Sequence, residues 1–352
     1  MSALDITRAL FCLALFLVCP NTGFSASAIA TCTDNTDVDH TISSCTTAIQ
    51  SHELPDLALS KAYATRGSAF AKKGDYDNAL TDYIAAAKLN NNDPNLFFEL
   101  GNLYSTIRDQ DKALQAYDRA IELKPAFVDA LVNRCYIHNL KAEYNVAIDD
   151  CTHAVRLNSR LVTALIGLGI SALGQAQALT GTKDDYKTAI KYFDDALSVK
   201  QDDLNALMGR ATGFDALDDR RHAIADYTKV VTIDPARASA WNNRCWSRAV
   251  MGDLPDALTD CNKSLELRPN NPETLDSRGF VHLKMGNLAA AINDYNLAIR
   301  LKSQLPSSLY GRGLAKLKSG DDSGGKEDIA TAIKLDSKIE DKFSTYGVPP
   351  AN

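Results

Sequence analysis

Four cysteines stand at a spacing that could do chemistry. In NRCYIHNLKAEYNVAIDDC (133–151), Cys135 and Cys151 are sixteen residues apart, and in NRCWSRAVMGDLPDALTDC (243–261), Cys245 and Cys261 repeat that interval. Three chemistries suit such pairs. Two thiols can oxidise to a structural disulfide. Cys135 and Cys151 with His138 and His153 could ligate zinc. A reactive pair could exchange disulfides. The zinc reading fails on its sister stretch, which carries Arg248 and Lys263 where the first has histidines. The exchange reading wants Cys-x-x-Cys, which the chain lacks. A covalent staple is the chemistry that both stretches allow.

A staple needs an oxidising compartment, and the N-terminus offers a route to one. Arg8 precedes an apolar run from Ala9 to Cys19, too short to span a bilayer comfortably, and Ala26 and Ala28 follow in an A-x-A pattern. This reads as a signal peptide cleaved after Ala28. Cleavage removes Cys12 and Cys19 and leaves Cys32, Cys45, Cys135, Cys151, Cys245 and Cys261, an even set whose connectivity composition leaves open. The composition, 45% hydrophobic and 23% charged with a net charge of -6, is that of a soluble globular chain. Without clustered Lys and Arg it excludes a nucleic-acid surface. No other segment is apolar enough for stable membrane insertion once the signal is gone.

The elements that must hold these residues are periodic. Gly67, Gly101, Cys135 and Gly169 form a column at 34-residue spacing, as do Ala211, Cys245, Gly279 and Gly313. Twelve residues after the first three of these and after the last three run Ala79, Ala113, Ala147, Ala257, Ala291 and Gly325, and Pro125, Pro235 and Pro269 mark breaks. Phe97, Gly101, Tyr104, Ala113, Tyr117, Ala120 and Pro125 in one unit, and Trp241, Ala257 and Pro269 in another, fit one pattern of large, small and proline positions. That pattern resembles the tetratricopeptide repeat (TPR) family. The resemblance implies an all-α superhelical solenoid of antiparallel helix pairs with a C-terminal capping helix. It divides the chain into a signal peptide (1–28), a two-cysteine helical cap (29–59), eight repeats and a capping helix and tail (340–352). The repeats are 60–93, 94–127, 128–161, 162–203, 204–237, 238–271, 272–305 and 306–339. Eight extra residues around 174–186 are expected to lengthen the first helix of the fourth repeat by about two turns.

Within that register the cysteines find partners. A hairpin mirrors repeat positions 8 and 24 about its turn. Most repeats pair a small residue with a large one there, such as Gly101 with Tyr117. Two repeats pair cysteine with cysteine, which predicts Cys135–Cys151, Cys245–Cys261 and, by remainder, Cys32–Cys45. Positions 7 and 23 are mirrored too, and six repeats carry Arg and Asp there, from Arg66/Asp82 to Arg312/Asp328. These read as ion pairs inside each repeat.

No catalytic signature emerges. Gly167-x-Gly169 lies inside a helical pattern with no strand before it, and the chain has no phosphate loop, H-E-x-x-H or G-x-S-x-G. The expectation is a non-catalytic protein with no metal and no cofactor. In the TPR family the first helix of each repeat lines a concave groove. Carried onto this chain, the groove comprises Phe98, Asn102, Asn133, Tyr136, Ile170, Met208, Asn242, Asn243, Trp246, Phe280 and Tyr310. Apolar anchors interleaved with amides suit an extended protein or peptide partner. The basic clamp of some TPR proteins wants Lys and Asn where this chain has Ala64 and Ser68, so a chaperone-tail ligand is disfavoured. The whole resembles secreted TPR proteins of Gram-negative bacteria: a periplasmic scaffold, with a holdase chaperone or envelope assembly factor as alternatives.

Overall fold

A computed structural model describes Cys32 and residues 37–179 and 181–350. The expected signal peptide, with Cys12 and Cys19, lies outside the described residues. Every regular element among the described residues is an α-helix. The chain divides into two compact units, Met1–Phe127 and Val128–Asn352.

The first unit holds α1 (Val38–Gln50), α2 (Asp56–Lys73), α3 (Tyr76–Leu89), α4 (Pro94–Thr106) and α5 (Gln110–Leu123). Cys32 is bonded to Cys45, and this pair packs with Ala48, Leu54 and Ala62 in a small core. The second unit begins with α6 (Val128–Leu140), α7 (Tyr144–Leu157), α8 (Val162–Ala178), α9 (Lys183–Val199), α10 (Leu204–Ala216) and α11 (Arg220–Ile233). It continues through α12 (Ala238–Met251), α13 (Leu254–Leu267), α14 (Pro272–Met285) and α15 (Leu288–Leu301). It ends with α16 (Pro306–Lys318), α17 (Asp322–Leu335) and the short α18 (Ile339–Thr345).

Seven of the hairpin turns have one chemistry. Residues 74, 108, 142, 218, 252, 286 and 320 all have positive φ, between 57° and 93°. Gly74, Gly252, Gly286 and Gly320 adopt it freely, whereas Arg108, Ala142 and Asp218 adopt it against their Cβ. An aspartate often follows and caps the next helix. Asp75, Asp109, Asp219 and Asp321 each accept a backbone N–H from its first turn.

Across each turn the mirrored positions meet. A Cβ added to Gly101 would stand 2.5 Å from the Tyr117 ring, and one on Gly169 2.6 Å from Phe193. Where the pair is cysteine, the sulfurs are bonded: Cys135 to Cys151 with Cα atoms 5.7 Å apart, and Cys245 to Cys261 at 5.4 Å. All four are fully buried. A bond closing so short a loop contributes about 3 kcal/mol in the chain-entropy picture. Gly167 sits over the first bond, since a Cβ there would overlap Cys151 Sγ. Close packing explains both glycines of Gly167-x-Gly169.

The Arg/Asp pairs are bidentate. In Arg66–Asp82, Arg210–Asp226 and Arg278–Asp294 the arginine Nε and Nη2 each donate to one carboxylate oxygen, at 2.7–2.8 Å. The aspartates are nearly buried, so each needs its cation. The remaining Nη1 has a second task that the sequence pattern does not reveal. It reaches the preceding helix: Arg66 to Thr46, Arg210 to Asp194, Arg244 to Thr228, Arg278 to Asn262 and Arg312 to Asn296. One arginine therefore ties its own hairpin and also the element before it. The acceptor varies among Thr, Asp and Asn, which hides this column from inspection.

The insertion in 162–203 behaves differently from the expectation. Its residues do not all extend the first helix. Both α8 and α9 have 17 residues, against 13 for α6 and 14 for α7, so each gains about one turn. The cause is a capping box in which Thr182 and Asp185 start α9 early.

Candidate functional site

In the second unit the first helix of each pair lines two cavities. The larger, 710 Å³, lies among α6, α8 and α10. Tyr136 and Ile170 reach it from the ninth position of their repeats and are 56% and 41% exposed. Met208 adds a flexible thioether, and the Cys135–Cys151 bond is part of the floor. Its lining holds amides and no charged side chain. Asn139 donates to the Gly167 carbonyl at 3.4 Å, while its own Oδ1 is buried without a hydrogen-bond partner among the described residues. Asn133 lines the same space.

The second cavity, 490 Å³, lies among α10, α12, α14, α16 and the C-terminal segment. Asn242, Asn243 and Trp246 reach it from α12. Asn242 Oδ1 is again buried and has no hydrogen-bond partner among the described residues. Carboxylates dominate the polar wall: Asp215, Glu273, Asp276 and Asp336, against Lys342 alone. Asp215 takes hydrogen bonds from the Tyr227 hydroxyl at 3.0 Å and Arg220 Nη1 at 3.0 Å, and the Ser247 hydroxyl stands 2.7 Å away. Burial still holds its pKa above the usual carboxylate value. Among the described residues Asp276 accepts from the Ser307 and Ser308 hydroxyls alone. Burial pushes it up to about 6, against the pull of those hydroxyls and with a smaller push from Glu273.

Two groove residues expected from sequence are not at a surface. Phe280 is 1% exposed and Tyr310 is fully buried. The C-terminal segment covers them. The Phe343 ring meets Tyr310 at 4.7 Å and Phe280 at 5.7 Å, both edge-on. Tyr346 goes further and packs edge-on against Trp246, a hundred residues earlier, at 5.0 Å. Lys284 fastens this segment, its Nζ donating to the carbonyls of Ala249 and Tyr346 at 2.9 Å each. Burial lowers the pKa of that ammonium. Ile339, Phe343 and Tyr346, spaced i, i+4 and i+7 along the capping segment, thus fill a groove as well as closing the last hairpin.

Phe98 and Asn102 lie in the first unit. Phe98 is partly buried against Phe127 at 4.9 Å, and Asn102 Oδ1 accepts the Tyr117 hydroxyl at 2.9 Å. The sequence pattern overlooks Asp215 and Asp276, and it offers Tyr346 for the cap without its place in the groove. Asp276 stands in the same column as Met208 and Asn242, so a signal existed, but an apolar template passes over a charge. His138 is held by Glu143 at 2.6 Å, and the sulfurs of Cys135 and Cys151 are bonded to each other rather than free as thiolates.

Comparison with known proteins agrees with this architecture. The TPR repeat family model matches residues 67–106, and the tetratricopeptide repeat model matches 94–127 and 272–305. The human Superkiller complex protein 3 is 29% identical over 147 residues, covering 40% of this chain and 9% of that protein. The peroxisomal targeting signal receptor of Saccharomyces cerevisiae is 36% identical over 67 residues, covering 19% of this chain and 11% of the receptor. The chain therefore spans only a small part of either relative. Among solved structures, a tetratricopeptide repeat protein from Parabacteroides merdae superposes with a TM-score of 0.57 at 18% identity, over 78% of this chain and 98% of its own. The family models, the helix pairs and the superposition agree: the chain carries tetratricopeptide repeats, and its described residues have the all-α fold of such repeats.

Proposed function

We propose that the chain is a non-catalytic scaffold that binds extended peptide segments of other proteins in the grooves of its second unit. One observation carries the reading. Exposed apolar anchors, Tyr136 and Ile170, line one cavity with a buried amide oxygen, Asn139 Oδ1, that has no donor among the described residues. An extended peptide supplies what is missing, side chains for the anchors and main-chain N–H groups for the oxygen. Proteins built from these repeats generally bind protein or peptide partners, and one relative is named a targeting signal receptor. The three disulfides, together with the signal-like N-terminus, support work outside the reducing cytoplasm, in the periplasm of the cell envelope. No helix among the described residues is long and apolar enough to cross a membrane.

The test is a peptide array probed with the mature chain. Bound peptides should lose about tenfold or more in affinity with Tyr136→Ala/Ile170→Ala, at unchanged helicity, since each anchor forfeits buried apolar area. Unchanged affinity would remove the groove assignment. A second reading, a holdase chaperone, draws on the adjacent exposed Leu140, which widens the apolar strip. It requires suppression of aggregation in several unrelated clients.

A further inference from the structure

The acidic cavity differs from its neighbour in one respect that points to a ligand: its charges do not balance. Three of its four carboxylates have their own cation. Asp215 has Arg220 at 3.0 Å, Asp336 has Lys342 at 2.7 Å, and Glu273 has Lys302 at 3.1 Å. Asp276 has none among the described residues, only the hydroxyls of Ser307 and Ser308. An ionised carboxylate partly withdrawn from water and met by neutral donors is an unfavourable arrangement, and a cation placed beside it relieves the cost. The wall next to it supplies two further features that suit a cation carrying N–H groups. Asn242 Oδ1 is a buried acceptor without a donor, and Trp246 brings an aromatic ring to the same cavity.

We infer that this cavity takes the cationic side chain of a bound peptide, arginine foremost, with Asp276 as its counter-ion, Asn242 as a further acceptor and Trp246 as an aromatic wall. The inference rests on the peptide-scaffold reading and narrows its partner to segments with a basic residue. A planar guanidinium fits better than an ammonium. It offers five donors to a carboxylate and an amide oxygen, and it stacks on indole. At 490 Å³ the cavity has the size of a side-chain or small-ligand pocket. A neutral or acidic side chain would leave Asp276 without a counter-ion, or add to the repulsion from Glu273.

The experiment compares pools of labelled octapeptides with random flanks and one fixed central residue: arginine, its neutral isostere citrulline, or glutamate. Binding to the mature chain is read by fluorescence anisotropy. The arginine pool should bind at least tenfold more tightly than the citrulline pool, and the glutamate pool weakest. Asp276→Asn should erase the arginine–citrulline ratio, whereas Tyr136→Ala should weaken all pools and leave the ratio intact. Equal binding of the arginine and citrulline pools by the unaltered chain overturns the inference and leaves peptide binding standing. A ratio that survives Asp276→Asn also overturns it. Binding of no pool at all removes both the inference and the scaffold reading. The isostere comparison uses the unaltered chain, so it stands even if the variant folds poorly.

Discussion

The two cavities of the second unit are built from the same repeat columns and have opposite chemistry. At the fifth position the larger cavity has Ile166 and Met208, and the smaller has Asn242 and Asp276. At the ninth, Ile170 in one answers to Trp246 in the other, and at the twelfth Asn139 answers to Asp215. The backbone beneath is a repeated hairpin, so a few side chains per repeat decide whether a surface is neutral or anionic. The larger cavity also lacks the C-terminal segment that walls the smaller one with Phe343 and Tyr346. A periodic scaffold can thus present two recognition surfaces side by side, because the core is buried within and between stacked hairpins and the exposed columns are left free to vary.

The largest contrast expected between the two regions lies under them. Beneath the neutral cavity, the nearly buried Asp150 has Arg134 as its only cation among the described residues. Beneath the acidic one, Asp260 has Arg244 at 2.7 Å and also Arg248 at 2.8 Å. Arg134→Ala leaves a stranded charge and should cost about 3 kcal/mol or more. Arg244→Ala should cost less by about 1 kcal/mol, since Arg248 remains. Urea unfolding read by hydrogen exchange in α6–α7 and α12–α13 measures both. Equal losses would mean that Arg248 gives Asp260 no support.

A pH titration separates the cavities themselves. The folded pKa of Asp276, about 6, lies above the usual aspartate value of 3.8. The fold therefore holds an extra proton between those values, and this group's contribution to stability grows as pH falls through 6, the reverse of a salt-bridged carboxylate. Recognition runs the other way, because only the anion attracts a cation. The groups facing Asp276 are Glu273 on its own helix, Tyr295 on α15, and the hydroxyls of Ser307 and Ser308 on α16. The arginine–citrulline ratio should fall about tenfold between pH 7 and pH 5. Binding of citrulline peptides, which rests on the uncharged cavity, should stay level. A ratio that holds steady to pH 5 would remove Asp276 as the counter-ion.

How far the sequence discloses this arrangement depends on whether a residue's role repeats. Arg and Asp at mirrored positions recur in six repeats and can be read without coordinates. The third arginine contact cannot, because its acceptor changes from Thr46 to Asp194 to Asn262. Phe280 and Tyr310 occupy groove columns by register, yet α18 and Tyr346 bury them. No periodicity predicts where a unique terminal segment will fold back. Asp276 was visible in its column, but its lack of a cation is a property of the neighbours that fold around it.

The smallest effect tests whether the two regions share one turn. The hairpin under the neutral cavity turns at Ala142 with φ 57°, and the one under the acidic cavity turns at Gly252 with φ 90°. A side chain in the left-handed region costs roughly 1–2 kcal/mol, offset in part by the greater unfolded-state freedom of glycine. Ala142→Gly should therefore stabilise α6–α7 by up to about 1 kcal/mol, and Gly252→Ala should destabilise α12–α13 by a comparable amount. Native-state hydrogen exchange resolves changes of that size locally. Opposite signs would mean that the turn obeys one rule throughout, with glycine its relaxed solution. Two losses of similar size would mean instead that the Ala142 methyl makes contacts its turn depends on, and that the two hairpins differ in the turn as well as in the groove.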